Sequence, residues 1–355
     1  MDTSSHRRDL AIWAYAFGYF ACYAPYSALT KALSSGWLQG MTRGISGFEL
    51  LPATTLASLV GMFVFLTVKG WWRYAHRRTV FGLSVPSPGR WTFLSGLCSG
   101  AIIGTTTLAY TFDGTSIVFM MLLMRGGVLV IAPIVDAVSQ RRVQWPSWVA
   151  LGLSLGAVAV ATGPGADWRL SLAAGLDLAV YLLAYFFRLR AMSRQAKSDD
   201  PAVSIRYFVE EQMVATPAIV FTLAVLALVG EGSVMTDIRQ GFTDFFVRGR
   251  MLEEVSIGLL SQGTGIFGGL ILLDHRENAF TVPVNRASSI LAGVLATAVL
   301  SVWLGERGVD ARELMGALLV MIAMGVLSIP TLTQARRARA AAGSPTPPVS
   351  GQGQG

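Results

Sequence analysis

Between Thr281 and Pro330 the chain carries two apolar stretches, each of about 20 residues, joined only by the polar elbow Gly305-Glu306-Arg307-Gly308-Val309-Asp310-Ala311-Arg312. A stretch of that length and apolarity crosses a bilayer as a helix, because a helix satisfies its own backbone hydrogen bonds where no water is present. A weaker copy of the pair runs from Ser116 to Gly163, with Arg125 in its first stretch, Trp145-Pro146 opening its second and Ser139-Gln140-Arg141-Arg142 as its elbow. The chain thus reads as an internal duplication. An odd number of helices per half inserts the second copy upside down, which gives an inverted repeat with a binding site near the bilayer midplane.

Composition agrees with a bilayer setting. With 53% hydrophobic and 14% charged residues, the chain has too little polar surface to cover a soluble globule of 355 residues. The net charge of +7 sits in the connections between apolar runs, where the positive-inside bias accounts for it, so nucleic acid is not an expected partner. Cys22 and Cys98 both fall inside apolar stretches and carry no redox motif. His6, His76 and His275 share no ligand spacing, so no metal is expected.

Ten spans are predicted, at about 10–30, 48–70, 91–110, 115–138, 146–163, 170–190, 205–229, 252–273, 280–303 and 312–330. The predicted fold is an all-α membrane protein of ten transmembrane helices, arranged as two inverted five-helix repeats. A cytoplasmic head covers 1–9, the first repeat 10–163, the second 170–330, and a tail rich in Ala, Gly, Ser and Pro covers 334–355 and is expected to be disordered. With both termini inside, 18 Lys and Arg fall on the cytoplasmic side and 8 on the other, which supports an even helix count. Small residues at four-residue spacing, Gly96, Gly100 and Gly104 in the third span and Gly152 with Gly156 in the fifth, predict close helix packing. Gly258, Ser261, Gly265 and Gly268 in the eighth span suit either close packing or a cavity wall.

The polar residues inside these spans are the candidate site. Arg125 lies about ten residues into the fourth span and Arg286 about six into the ninth, and a cation at the bilayer centre costs about 3 kcal/mol on insertion scales. Two guanidinium groups facing one cavity suit a carboxylate or phosphate, which they bind through paired, charge-assisted hydrogen bonds. The alternative is that protein carboxylates neutralise them, or that Arg286 snorkels to the interface. Asp177, Tyr181, Tyr185 and Arg188 follow one another at spacings of four, four and three, and so form one polar stripe on the sixth span. Tyr15, Tyr19, Tyr23 and Tyr26 form a similar stripe on the first. Arg125, Arg286, Tyr19, Tyr23, Asp177 and Tyr181 are the predicted substrate contacts. Asp177 and Glu211 are the candidates for proton coupling, since a carboxyl in an apolar wall can take a proton on one side and release it on the other. Glu210 follows Arg206 by four residues, which predicts a local ion pair instead.

The elbow Leu304-Gly305-Glu306-Arg307, followed by Leu314-Met315-Gly316-Ala317-Leu318, resembles the drug/metabolite transporter superfamily, and in particular its EamA-type permeases. Their second repeat ends its ninth helix with Gly-Glu and opens the tenth with a Gly-Ala-Leu run. The first repeat departs from that pattern at Ser139-Gln140-Arg141-Arg142, and Ala292-Gly293 stands where a mid-helix Glu-Pro is often found. The resemblance implies alternating access between two bundles around a central cavity. The intramembrane arginines point to the superfamily's phosphate-ester and nucleotide-sugar branches.

The expected function is secondary transport of a small polar, anionic metabolite across the cytoplasmic membrane, by exchange or proton coupling. Alternatives are export of neutral or cationic compounds of amino-acid or drug type, and a sensor or lipid scramblase on the same scaffold. No HExxH, GxSxG or paired-aspartate motif marks an intramembrane enzyme. The expected partners are the small-molecule substrate and the lipid bilayer, with no cofactor; a homodimer stays open.

Overall fold

The computed structural model describes residues 3–112, 117–138, 145–162, 171–195, 200–273, 278–305 and 310–342. The elbow residues 139–142 and 306–309, and the end of the chain from 343, lie outside them. Helices occupy nearly all of the rest: α1 (Thr3–Ser35), α2 (Gly47–Val68), α3 (Arg90–Ala109), α4 (Ile117–Val138), α5 (Trp145–Thr162), α6 (Leu172–Gln195), α7 (Pro201–Val229), α8 (Gly232–Thr243), α9 (Met251–Leu272), α10 (Asn278–Leu304) and α11 (Ala311–Ala342). Among the described residues, six segments, of α2, α3, α6, α7, α9 and α10, are long and apolar enough to cross a membrane. The chain is therefore a predominantly helical, multi-pass membrane protein.

Local chemistry sets several helix ends. Asp200 accepts a hydrogen bond from the Ala202 amide at 2.9 Å, with Pro201 in the first turn, where its missing N–H loses nothing. At the other end of α7, Gly230 takes the left-handed conformation at φ 63° that stops a helix.

Four features depart from the sequence expectation. Helix α1 begins at Thr3, inside the expected polar head, and α11 runs to Ala342, past the start of the expected tail at 334. The short helix α8 lies between α7 and α9; its polar composition kept it from reading as a span. Between α2 and α3, strands β1 (Arg77–Val80) and β2 (Leu83–Pro86) form an antiparallel hairpin in which Val80 pairs with Leu83. Its two-residue turn puts both Phe81 (φ 50°) and Gly82 (φ 78°) in the left-handed region, as a tight hairpin turn requires.

Packing brings distant helices together. Helix α1 lies against α9 and α10, while α6 lies against α3 and α4. Helix α2 packs on α9 and α7 on α3; α4 packs on α5 and α10 on α11. Three further pairs are α2 with α7, α4 with α10 and α5 with α11. The glycine seams explain how close some pairs come. A Cβ on Gly100 would stand 2.6 Å from the Ala215 carbonyl oxygen of α7, and one on Gly258 would stand 2.3 Å from the Thr54 carbonyl oxygen of α2. Gly152 and Gly156 behave otherwise: a Cβ there meets nothing within 4 Å among the described residues, so the close packing expected of them is absent.

Candidate functional site

A cavity of about 90 Å³ lies among α1, α3, α4, α6, α7, α9 and α10, with room for several water molecules. Its wall is polar on several sides, with Tyr19, Tyr23 and Tyr26 from α1, Arg125 from α4, and Tyr185 and Arg188 from α6. The glycine stripe of α9 serves both purposes that its spacing allowed. Gly258 packs on α2, while Ser261, Gly265 and Gly268 line the cavity.

Arg125 is 3% exposed and donates to two tyrosine hydroxyls, Tyr181 of α6 and Tyr23 of α1. Its guanidinium carbon also stands 5.3 Å from the Tyr23 ring centre and 5.7 Å from that of Tyr181. Arg286 is 1% exposed and lies over the Tyr185 ring at 4.6 Å, with a 3.4 Å contact to its hydroxyl. Neither arginine has a carboxylate within 4.0 Å among the described residues, and the Nε of each has no hydrogen-bond partner there. Among the described residues both cations are thus met by rings and hydroxyls, which is a weaker environment than an ion pair.

Arg188 is different. Its Nε donates to Glu211 Oε1 at 2.8 Å and its Nη2 to Oε2 at 3.0 Å, a two-pronged pair in which Glu211 is 1% exposed. Ser95 and Ser99 of α3 donate to the same carboxylate, and Tyr207 donates to Ser95 at 2.6 Å. The cavity wall therefore holds a neutralised cation beside the unneutralised one on α4.

The remaining predicted residues fall into two groups. Tyr19, Tyr23 and Tyr181 join the arginine cluster, with Tyr19 against Tyr23 at 5.2 Å between ring centres. Asp177 stands apart: it is 6% exposed and its carboxylate oxygens have no partner among the described residues; like Arg286 and Tyr181, it lies behind the residues that line the cavity. Glu210 makes no pair with Arg206. It accepts from the His76 Nδ1 at 2.6 Å, the His76 amide at 3.2 Å, the Gly89 amide at 3.0 Å and the Thr92 hydroxyl at 2.8 Å, which ties α7 to the hairpin segment.

Three contributors were not among the residues predicted for the site. Tyr110 hydrogen-bonds the Tyr23 hydroxyl at 2.6 Å, yet it caps the end of α3, where no periodicity marks it. Gln212 and Gln262 line the cavity with a side-chain oxygen that has no partner among the described residues. Gln262 stands four residues after Gly258 on the small-residue stripe, a signal that was open to reading.

No family model and no curated protein matches the chain. A solved structure described as "Crystal structure of protein" aligns with 92% of this chain and 98% of its own, at 12% identity and a TM-score of 0.46, a likeness too slight to carry an argument.

Proposed function

We propose that the chain is a secondary transporter that moves a small polar, anionic metabolite across the cytoplasmic membrane by alternating access. In this reading ten helices form two inverted five-helix repeats of the drug/metabolite transporter type, and both termini are cytoplasmic. The observation that carries it is the pair of buried guanidiniums, Arg125 and Arg286, each without a carboxylate within 4.0 Å among the described residues. A bound carboxylate or phosphate supplies the missing counter-charge.

The repeat reading has its own support. Exchanging α1, α2, α3, α4 and α5 for α6, α7, α9, α10 and α11 turns the α1–α9 contact into α6–α3, α1–α10 into α6–α4 and α2–α9 into α7–α3. The pairs α2–α7, α4–α10 and α5–α11 map onto themselves. Arg125 is the ninth residue of α4 and Arg286 the ninth of α10. The stripes Tyr15, Tyr19, Tyr23, Tyr26 and Asp177, Tyr181, Tyr185, Arg188 share the spacing four, four, three on the exchanged helices α1 and α6. Arg125 binds one tyrosine from each half, as a site on the repeat axis requires.

The test is a thermal-shift screen of the detergent-solubilised protein against anionic, zwitterionic and cationic metabolites, with Arg125→Ala and Arg286→Ala in parallel. An anion at a hundred times its dissociation constant adds about 2.7 kcal/mol to the folded state, and both variants lose that gain. Stabilisation by cationic or neutral compounds that survives both substitutions overturns the reading.

A further inference from the structure

The proposed function gives Arg188 no role and leaves open how Glu211, expected from the sequence as a candidate for proton coupling, would be linked to the substrate; Arg188 faces the cavity and Glu211 does not. Their arrangement differs from that of a structural tie in one respect. The guanidinium is offered to the cavity on one side and held by a buried carboxylate on the other. An anion that has entered as far as Arg125 therefore meets a second cation on the same wall, already engaged.

We propose that Arg188 is a further ligand for the transported anion, and that Glu211 takes up a proton when Arg188 turns from it to the substrate, so that anion and proton move together. The inference rests on the anion-transport reading of the same site. The exchange balances without a covalent step. The two hydrogen bonds from Arg188 pass from the Glu211 carboxylate to the substrate's oxygens, and a proton adds to one Glu211 oxygen. Ser95 and Ser99 are hydroxyls, and each can turn to accept from the protonated carboxyl as readily as it donates to the ionised one. Without that proton Glu211 would be left buried with no cation, which is the expensive outcome when one partner of a buried pair departs.

The surroundings make Glu211 the group that answers to Arg188. Around Glu211, α6 presents Arg188 and α3 presents Ser95, Ser99 and Cys98, while Tyr207 lies one turn earlier on α7 itself. Of the other elements packed on α7, α8 meets its far end, where Arg239 donates to the Ala227 carbonyl, and the Trp71–Tyr74 turn carries Arg73, which donates to the Tyr74 hydroxyl. Glu210, the preceding residue, is occupied by His76, Gly89 and Thr92. The only carboxylate of α2 is Glu49 in its first turn, at the opposite end of the bundle from Arg188.

The sign follows from the linkage. Binding that takes up a proton weakens as pH rises, by about tenfold per unit for one proton, over the range in which the free protein holds Glu211 ionised. The experiment uses the full chain in detergent, with succinate and glycerol 3-phosphate as probes at pH 8, where both are ionised in solution. Proton uptake on binding is read with a pH indicator in weak buffer. The expected result is uptake of about one proton per bound anion in the unaltered protein. Glu211→Gln then binds the same probe with no uptake and no pH dependence, and Arg188→Gln weakens binding about tenfold. If Glu211→Gln does not fold, the charge-conserving double variant R188Q/E211Q takes its place and must also bind without uptake. Binding that needs Arg125 but proceeds without uptake overturns the inference and leaves the anion reading standing. Uptake that persists in Glu211→Gln or the double variant overturns it too. Failure of both probes to bind removes the anion reading for these classes, and the inference with it.

Discussion

Arg125 and Arg188 carry the same group in the same bundle, yet their partners differ in kind. Arg188 meets a carboxylate, whereas Arg125 meets two tyrosine hydroxyls, which are weaker acceptors and release it more easily to an anion. Tyr181→Phe separates the two effects, because it removes one acceptor and changes nothing else in shape. The free protein should lose about 1–3 kcal/mol, seen as a lower melting temperature, while the extra stabilisation given by a saturating anion grows. Equal losses with and without anion would mean that Tyr181 never yields Arg125 to a ligand. These residues were legible in the sequence because a guanidinium or a run of tyrosines inside an apolar stretch needs no partner to be noticed. The Arg188–Glu211 pair was not, since its members lie on consecutive helices and nothing in the spacing measures the turn between them. Glu210 shows the opposite error. Four-residue spacing offered Arg206, but the structure offers four donors on three residues of a segment more than a hundred residues away, and the burial of Glu210 favours them.

The helices themselves were read from length and apolarity alone, so their positions were legible while their neighbours were not. Small-residue spacing predicted close approach in α3 and α5 and was right in α3, while in α9, where it left packing and a cavity wall open, both occur. In α5 the same spacing faces open space, because spacing identifies a smooth face and cannot say what lies against it. The two cases predict opposite results for one change. Gly258→Val sets a side chain against the α2 backbone, which cannot move aside as a flexible side chain does, and should cost about 1–3 kcal/mol or abolish a monodisperse size-exclusion peak. Gly152→Ala should leave the peak and the melting temperature unchanged or slightly raised, since alanine is the better helix former. Similar losses at both positions would show that α5 is covered in the membrane by something other than lipid.

At the scale of the whole molecule, the cavity reaches toward one end of the bundle and ion pairs gather at the other. Arg188, Leu272 and Asn285 place its lining near the ends of α6 and α9 and the start of α10, the end that carries the hairpin segment. At the opposite end Arg248 stands 2.7 Å from Glu49 of α2 and 3.5 Å from Glu254 of α9, and Arg250 reaches both Glu253 and the Gln39 carbonyl of the α1–α2 connection. Glu49 and Glu254 are buried; removing Arg248 leaves Glu49 with Arg43 at 3.4 Å but takes from Glu254 the cation that faces it, a loss of about 3–5 kcal/mol for a buried pair. Two access states that differ by a few kcal/mol would exchange their order under such a change. Arg248→Gln should therefore open this end of the bundle. A cysteine in place of Gly265 lines the cavity and has room for its side chain, and in a protein with Cys22 and Cys98 replaced by serine it is the only thiol. Its labelling by a membrane-impermeant maleimide, added to the face carrying Arg248, should rise several-fold in Arg248→Gln. Unchanged labelling would make the Arg248 cluster a static brace, and the alternation of access would have to turn on some other contact between the halves.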